Sequence, residues 1–264
     1  MREHTGVTTA VYPGGMVQHV NDYADDRLIL NCVYCDAGNQ ATRDHVPSKV
    51  LLDKPYPTNL PVVPCCEECN HSFSKDEEYL ACLIECVRTG TTDPDKLERE
   101  TVRRILREQP KLRARIDNAR REENGEIRFY PENDRVENVL LKLARGHSAF
   151  ELSALVRRKP DHIAWMIVPT MAADQREQFD SFHVHQMFGE VGSRASQRMM
   201  VMEVSALSSA GQALAMGNII SDWVDVQDGR YRYLAVDDVG GVTIRFVISE
   251  YLACEVGWSW ESES

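Results

Sequence analysis

The spacing of apolar residues predicts a helix in the first third of the chain. Apolar side chains recur at helical intervals across residues 79–87, behind a capping-box pattern at residues 74–77, and Gly90 follows the last of them. Glycine readily adopts the left-handed conformation that closes helices. We therefore predict a helix that begins near Ser74 and ends at Gly90.

Weaker helical patterns follow, each bounded by a proline or a glycine. Their predicted ranges are 93 to about 109, with Pro94 in the first turn and Pro110 at the end; 136 to 146, with Gly146 as the terminator; and 148 to 157. A polar, arginine-rich stretch at residues 111–123 separates the first two.

Alternating apolar and polar residues predict strands in the last part of the chain. The predicted strands are residues 162–168, 230–236, 242–248 and 251–258, with a hairpin turn at residues 238–241. These patterns together predict an α+β fold in which a helical segment precedes a C-terminal antiparallel sheet.

The composition of the chain changes twice along its length. Residues 1–28 form an irregular lead-in with one strand predicted near residues 28–30, and residues 29–90 are rich in Cys, Asn, Pro and His. Residues 91–264 carry the longer helical patterns and then the strands. We therefore predict a lead-in at 1–28, a small compact domain at 29–90 and an α+β C-terminal domain at 91–264.

The net charge and the hydropathy of the chain restrict the kinds of function that it can have. The 264 residues carry a net charge of −11, which argues against a surface that binds nucleic acid everywhere, because backbone binding needs local positive charge. A balance this acidic also favours a protein partner. No apolar run reaches membrane-spanning length, and residues 1–15 lack the apolar core of a signal peptide. We expect a cytoplasmic protein that does not enter a membrane.

Four of the eight cysteines stand in two C-x-x-C pairs, Cys32/Cys35 and Cys66/Cys69, separated by thirty residues. Two such pairs can bind one tetrahedral Zn²⁺ through four thiolates, which leaves no open position for water. We therefore predict a structural zinc site whose removal unfolds the first ninety residues or so. The simpler alternative is a zinc ion that only links two chain segments, with no catalytic residues near it.

The other four cysteines have no such spacing. Cys65 can replace Cys66 as a ligand only by breaking the two-residue spacing, and Cys82 and Cys86 lie one helical turn apart in an apolar segment. We interpret Cys82 and Cys86 as buried core thiols. Cys254 is the remaining thiol.

The loop between the cysteine pairs contains groups suited to phosphodiester hydrolysis. His45 is an imidazole that can act as a general base near neutral pH. Asp44 offers a carboxylate oxygen and Asn70 an amide oxygen, both suited to a hard divalent cation. Adjacent residues of a strand point to opposite faces, so a bulge or loop is needed for Asp44 and His45 to serve one phosphate.

The order of these residues resembles the HNH endonuclease family with its ββα-metal fold. The carrying pattern is C-x-x-C, D-H-x-P, N-L, C-x-x-C-N and a capped helix, over residues 32 to about 85. The chain is also similar to small stand-alone bacterial HNH proteins at T-R-D-H-V-P, residues 42–47, and at C-N-x-x-F-S-K-D-E-E-Y, residues 69–79.

This resemblance implies roles for four residues. It implies His45 as the general base, Asp44 and Asn70 as ligands of one Mg²⁺ or Mn²⁺, and Asn59 as the middle residue that braces the loop of the base. His71 does not match the helix histidine that some members use as a further ligand. The number of protein ligands therefore stays open.

Other polar residues have two interpretations each. Arg43 and Lys75 can contact substrate, or Arg43 can be a solvated arginine and Lys75 part of a helix cap. The arginine-rich residues 103–121 can follow a phosphate backbone, but glutamates interleave with them, and we favour helical ion pairs. His183 and His185 fit one face of a strand, and the sequence offers no third ligand for a second metal site.

The sequence therefore predicts a metal-dependent nuclease that acts on DNA, with RNA as the other substrate. The C-terminal part is expected to select substrate or to bind a protein partner or a second copy of the chain. Two alternatives are a non-catalytic zinc module that binds nucleic acid or protein, and a defence or mobile-element nuclease that a partner or ligand activates.

Overall fold

The computed structural model describes residues 31–35, 37–38, 42–187, 189, 192–207 and 213–260. The predicted lead-in and the strand predicted near residues 28–30 lie outside these ranges. Within them the chain is a mixed α+β protein with five α-helices and a C-terminal antiparallel sheet, which confirms the predicted α+β class, while the ββα-metal fold stays a prediction.

A short hairpin and a long helix begin the described fold. Strand β1, Thr42–His45, pairs antiparallel with β2, Val62–Cys65, in a regular register from Thr42 opposite Cys65 to His45 opposite Val62. Helix α1, Glu67–Thr89, follows at once. The second strand thus leads directly into the helix through Cys66, which fixes the start of α1 beside the hairpin.

The predicted start of α1 is wrong, and its predicted end is confirmed. The N-cap is Cys66, whose sulfur accepts from the backbone N–H of Cys69 at 3.4 Å. Ser74 lies inside the helix, where its hydroxyl donates to the carbonyl of Asn70 at 2.9 Å, so residues 74–77 do not form a capping box. Gly90 ends the helix with φ of 68°, in the left-handed region that favours glycine.

A 3₁₀ turn and one short α-helix replace the single helix predicted from Asp93 to Gln109. Asp93 caps a 3₁₀ turn, Pro94–Lys96, before α2, Glu100–Glu108, and Pro110 then begins α3, Pro110–Ala119. The polar residues after α3 form a hairpin that the sequence analysis missed, β3, Arg120–Glu123, with β4, Glu126–Phe129. Its signal was the Asn124-Gly125 turn, in which both residues have positive φ.

Helix α4, Asn133–Leu152, passes through Gly146 and ends in the left-handed residue Ser153. The predicted helix end at Gly146 and the separate helix at residues 148–157 are therefore wrong. A Cβ on Gly146 would lie 2.5 Å from Cγ2 of Val46 and 3.2 Å from the hydroxyl of Tyr34. Gly146 is thus explained by the close approach of α4 to the loop after β1, and not by a chain reversal.

The C-terminal part contains two antiparallel sheets. Its elements are β5, His162–Ile167; α5, Ala173–Asp180; β6, His183–Val184; β7, Met200–Leu207; β8, Ala213–Ser221; β9, Val224–Gln227; β10, Tyr231–Asp238; β11, Gly241–Ile248; and β12, Leu252–Ser259. A five-stranded sheet has the order β5-β12-β11-β10-β9, and a three-stranded sheet has the order β6-β8-β7. The predicted strand at residues 162–168, the hairpin around residues 238–241 and the third strand after it are all confirmed.

The main core lies between helices α1 and α4 and one face of the five-stranded sheet. Leu140 and Leu143 of α4 are buried against sheet residues such as Phe246, Val256 and Trp258. Leu80 of α1 belongs to the same core, so residues on both sides of the predicted boundary at residue 90 pack together. The division into domains at that residue stays a prediction.

A second, smaller core surrounds the first cysteine pair. Val33, Tyr34, Val46 and Val63 are buried there together with Ala149 of α4, and Cys32, Cys65 and Cys66 complete the cluster. Helix α4 therefore contributes to both cores. No helix in the described ranges is long and apolar enough to cross a bilayer.

Candidate functional site

The four paired cysteines converge. The sulfur atoms of Cys32, Cys35, Cys66 and Cys69 all lie within 4.8 Å of one another, and those of Cys35 and Cys66 are 3.6 Å apart. Four thiolates bound tetrahedrally to zinc at about 2.3 Å would lie about 3.8 Å apart. The cluster is therefore compatible with a zinc site, as the sequence predicted.

Hydrogen bonds favour the thiolate form at Cys32, whereas burial raises the pKa of the Cys69 thiol. Burial opposes ionisation of Cys32, but the backbone N–H groups of Cys66, Tyr34 and Cys35 outweigh it and lower the pKa of the Cys32 thiol to about 7. Cys66 belongs to the cluster because it is the N-cap of α1, which turns its sulfur toward the backbone of Cys69.

Cys65 does not belong to the four-sulfur group. Its side chain is buried, its thiol donates to the carbonyl of Cys66 at 3.3 Å, and burial raises its pKa. The two-residue spacing therefore identified the right partner. Cys82, Cys86 and Cys254 are buried free thiols, as expected of core residues, and burial raises the pKa of each.

Asp44 lies on the buried face of β1, where two side chains bind the same oxygen. The Tyr34 hydroxyl donates to Oδ2 of Asp44 at 2.5 Å, and the ammonium of Lys142 lies 2.7 Å from that atom. Tyr34 is in the first cysteine knuckle and Lys142 is in α4. The carboxylate thus joins the thiol cluster to the helix that crosses it.

Lys142 is a functional candidate that the sequence analysis missed. Its side chain is fully buried, and its ammonium also lies 2.7 Å from Glu77 of α1 and 2.8 Å from the hydroxyl of Ser48. Burial alone would lower the pKa of Lys142, but the Asp44 and Glu77 carboxylates outweigh it and raise that pKa. The available signal was a lysine three residues after Val139, on the apolar stripe of α4.

His45 is the last residue of β1 and is half-buried. The ladder stays regular through the His45–Val62 pair, so the bulge that the sequence analysis required is absent from β1. Strand alternation therefore sends the side chains of Asp44 and His45 to opposite faces. A substrate can meet both residues only around the end of the strand.

Asn70 lies against the same strand. Its side-chain amide donates to the Thr42 hydroxyl at 3.2 Å, and that hydroxyl donates to the carbonyl of Cys65 at 2.8 Å. Thr42 and Asp44 share one face of β1 by alternation, so Asn70 and Asp44 lie along the same side of the hairpin.

Asn59 differs from these residues in its surroundings. It is exposed and lines a cavity of about 180 Å³ with Glu151, Arg194 and Arg198. Within the described part of the chain its side chain makes no hydrogen bond to the loop of His45. The bracing role implied by the resemblance stays a prediction.

The predicted substrate contacts are on the surface. Arg43 is exposed on the face of β1 opposite Asp44, and Lys75 is exposed on α1. Lys75 lines a groove of about 370 Å³ with Lys111, Arg115 and Arg135. Lys75 lies in the third turn of α1, so its predicted part in a helix cap is wrong.

Four of the eight basic side chains at residues 103–121 pair with carboxylates, and two of these pairs are the helical kind that we favoured. The ion pairs are Arg103–Glu100 at 3.3 Å, Arg104–Glu108 at 3.4 Å, Arg107–Asp95 at 2.5 Å and Arg115–Glu132 at 3.4 Å. These pairs reduce the positive charge that this surface offers to a phosphate backbone.

Asp238 is a second candidate that the sequence analysis missed. It lies at the end of β10, close to His183 and His185, and the three form the other group of side chains in the described ranges that could hold a metal ion. Burial would raise the pKa of Asp238, but hydrogen bonds from His183 and from the backbone of Gln186, Val239 and Met187 lower it to about 2. The third ligand is thus distant in sequence and ionised.

Comparisons of the chain with protein-family models, with curated proteins and with solved structures found no match.

Proposed function

We propose that this chain is a metal-dependent HNH-type endonuclease that hydrolyses phosphodiester bonds of DNA. The observation that carries the proposal is the hydrogen bond from Asn70 to Thr42, because it holds the first turns of α1 against the strand that bears Asp44 and His45. The thiol cluster supports this arrangement, since Cys66 and Cys69 fix the start of the same helix. The order of these residues along the chain is that of the HNH pattern.

Each residue has a distinct task in the proposed reaction. His45 accepts a proton from the attacking water at the end of β1. Asp44 and Asn70 supply a carboxylate and an amide oxygen to one Mg²⁺ or Mn²⁺, a donor set that such ions prefer. When bound, that cation would supply stabilisation of the charge on the phosphate and on the leaving oxygen. Cys32, Cys35, Cys66 and Cys69 would hold zinc with four thiolates, so that ion would serve only as a scaffold.

The Lys142–Asp44 ion pair favours a second candidate. An ammonium 2.7 Å from Asp44 competes with a cation for that carboxylate, which is what a non-catalytic zinc module would show. The same pair fits a nuclease of a defence or mobile-element system that is inactive until a partner displaces Lys142 from Asp44. The acidic C-terminal part would then bind that partner or select the substrate.

Cleavage assays separate these candidates. Zinc-loaded protein is incubated with supercoiled plasmid, linear duplex, single-stranded DNA and RNA, with Mg²⁺, with Mn²⁺ or with no added divalent ion. We expect cleavage of DNA only with the added ion, and a decrease of about 10²- to 10⁴-fold in His45→Ala. His71→Ala is the matched control, since His71 is an exposed histidine adjacent to Asn70 on α1.

Each other outcome removes a proposed role or selects a different candidate. Equal cleavage by wild type and His45→Ala would remove the proposed role of His45. Absence of cleavage in wild type and its appearance in Lys142→Met would favour the regulated nuclease. If zinc-loaded, folded protein cleaves none of the four substrates, either as wild type or as Lys142→Met, the non-catalytic zinc module is the remaining candidate.

A further inference from the structure

We propose that His183, His185 and Asp238 form a second metal site, which binds a divalent first-row transition metal ion such as Zn²⁺. One ligand atom from each residue lies within 4.8 Å of the other two. Two imidazoles and one carboxylate suit such ions, whereas Mg²⁺ and Ca²⁺ prefer oxygen ligands alone. The site lies in the C-terminal part and does not depend on the proposed nuclease activity.

Two strands bring the ligands together. His183 is the first residue of β6 and pairs with Ser221 of β8, and His185 follows directly after β6. Residues two apart on an extended chain point to one side, and the two rings lie with their centroids 4.8 Å apart. Asp238 reaches them from the end of β10, where Nε2 of His183 lies 2.7 Å from its Oδ2.

The hydrogen bonds of His185 leave one nitrogen available for a metal. Its Nε2 lies 2.8 Å from the hydroxyl of Ser221, and its Nδ1 is buried and has no hydrogen-bond partner among the described residues. A proton on Nε2 that is donated to Ser221 leaves the lone pair of the imidazole on Nδ1. A buried imidazole nitrogen without a partner is costly, and a bound cation would remove that cost.

The carboxylate is held in a fixed orientation. Asp238 is buried, and its oxygens accept backbone N–H groups of Gln186 at 3.0 Å, Met187 at 2.9 Å and Val239 at 2.8 Å. Ligands of a tetrahedral zinc at about 2.05 Å lie about 3.3 Å apart, so the 2.7 Å contact between His183 and Asp238 would open by about 0.6 Å on metal binding. Side-chain rotation of His183, which is half-buried, supplies such a change.

A metal here would connect the two C-terminal sheets. His183 and His185 belong to the sheet β6-β8-β7, whereas Asp238 belongs to the sheet β5-β12-β11-β10-β9. Three protein ligands also leave a position for water or another exchangeable ligand, which is typical of sites that bind metal reversibly. We therefore expect weaker binding than at the four-cysteine cluster.

Metal stoichiometry of the full chain tests the site. Protein is reconstituted with Zn²⁺ after chelation, and zinc per chain is measured at increasing free Zn²⁺. We expect two ions in wild type, the weaker of which is lost in His185→Ala and in His183→Ala. Reconstitution with Co²⁺ gives a second readout, because thiolate-to-cobalt absorption reports the cysteine site alone and should be unchanged in both variants.

Two control variants define the site. His162 also contacts a carboxylate, with Nε2 3.1 Å from Glu255, but it has no second histidine beside it, so His162→Ala should keep both ions. Asp44→Asn should also keep both, which separates this site from the proposed catalytic one. Wild type that binds one Zn²⁺ per chain overturns the proposal, as does a second ion that survives in folded His185→Ala or disappears in Asp44→Asn.

Discussion

The two cores of this protein are organised on different physical grounds. The main core packs α1 and α4 against a five-stranded sheet, where residues such as Leu140, Phe246 and Trp258 lose nearly all contact with water. The small core around Val33, Tyr34 and Val46 contains few apolar side chains and four converging sulfur atoms. Burial of apolar area can stabilise the first, whereas the second needs a cross-link.

Removal of zinc should produce the largest difference between the two cores. Structural zinc sites contribute about 10–16 kcal/mol to small domains, so Cys66→Ser or chelation should unfold β1 and β2. We expect amide protons of Thr42–His45 to lose protection from exchange, while those of β10, β11 and β12 keep most of it. Hydrogen exchange resolved by residue measures both.

Cys82→Ala is the control for this experiment. Cys82 is buried in the main core and lies outside the sulfur cluster, so its loss should cost about 1–2 kcal/mol and leave zinc binding intact. Equal protection of the β1–β2 hairpin with and without zinc would show that both cores depend on packing alone.

The link between the cores at Lys142 should have the next largest effect. Lys142→Ala leaves the buried carboxylate of Asp44 and that of Glu77 without their cation, which should cost about 3–5 kcal/mol of unfolding free energy. Urea denaturation measures it, with the exposed Lys159→Ala as the control. A loss below about 0.5 kcal/mol in Lys142→Ala would contradict a coupling between the cores through this ion pair.

The contact at Gly146 should have a smaller effect, of about 1–3 kcal/mol. Gly146→Ala improves helix propensity but places a methyl group 2.5 Å from Cγ2 of the buried Val46, and overpacking should outweigh the propensity gain. Thermal unfolding measures the change. The double variant Gly146→Ala, Val46→Ala should recover part of it.

Gly240→Ala serves as the matched control, since a Cβ at Gly240 would meet no atom within 4 Å. A stability gain in Gly146→Ala similar to that of an exposed helix site would mean that α4 and the loop after β1 are free to move apart.

Acid should weaken the main core gradually through His147, so that the effect is smallest near neutral pH. Burial, and then the charges of Lys142 and Arg198, lower the pKa of His147 from 6.5 to about 3. Below about pH 6.5 the unfolded chain binds this proton and the folded chain does not, so stability falls as the pH falls, until about pH 3. The slope is at most about 1.4 kcal/mol per pH unit.

Denaturation between pH 7 and pH 5 measures this dependence. His147→Gln should flatten the slope, because the substituted side chain does not titrate. If stability depends on pH equally steeply in His147→Gln and in wild type, the titration of other groups causes the loss of stability in acid.

Local patterns in the sequence were enough to predict four of the C-terminal strands and the sulfur cluster. The β10–β11 hairpin follows from alternation around a two-residue loop, and the cysteine pairs follow from their spacing. Both signals act over a few residues, so no knowledge of the tertiary structure was needed.

Features that depend on distant residues were missed. Cys66 caps α1 in place of the usual polar residue, and Gly146 is explained only by Val46, which is a hundred residues away. Lys142 and Asp238 find their partners through packing of α4 and pairing of β10, which single-sequence periodicity does not describe. The regular ladder through His45 likewise depends on its pairing with β2.

The position of β12 has a consequence for the order in which the chain can fold. Leu252–Ser259 is an interior strand that pairs with β11 on one side and with β5 on the other. During translation, β5 emerges about ninety residues before its partner β12. The backbone groups of β5 that bond to β12 therefore stay unpaired until β12 has been synthesised. In a nascent chain that stops before Leu252, the edges of β5 and β11 that face β12 would also be open and available to chaperones and to neighbouring chains.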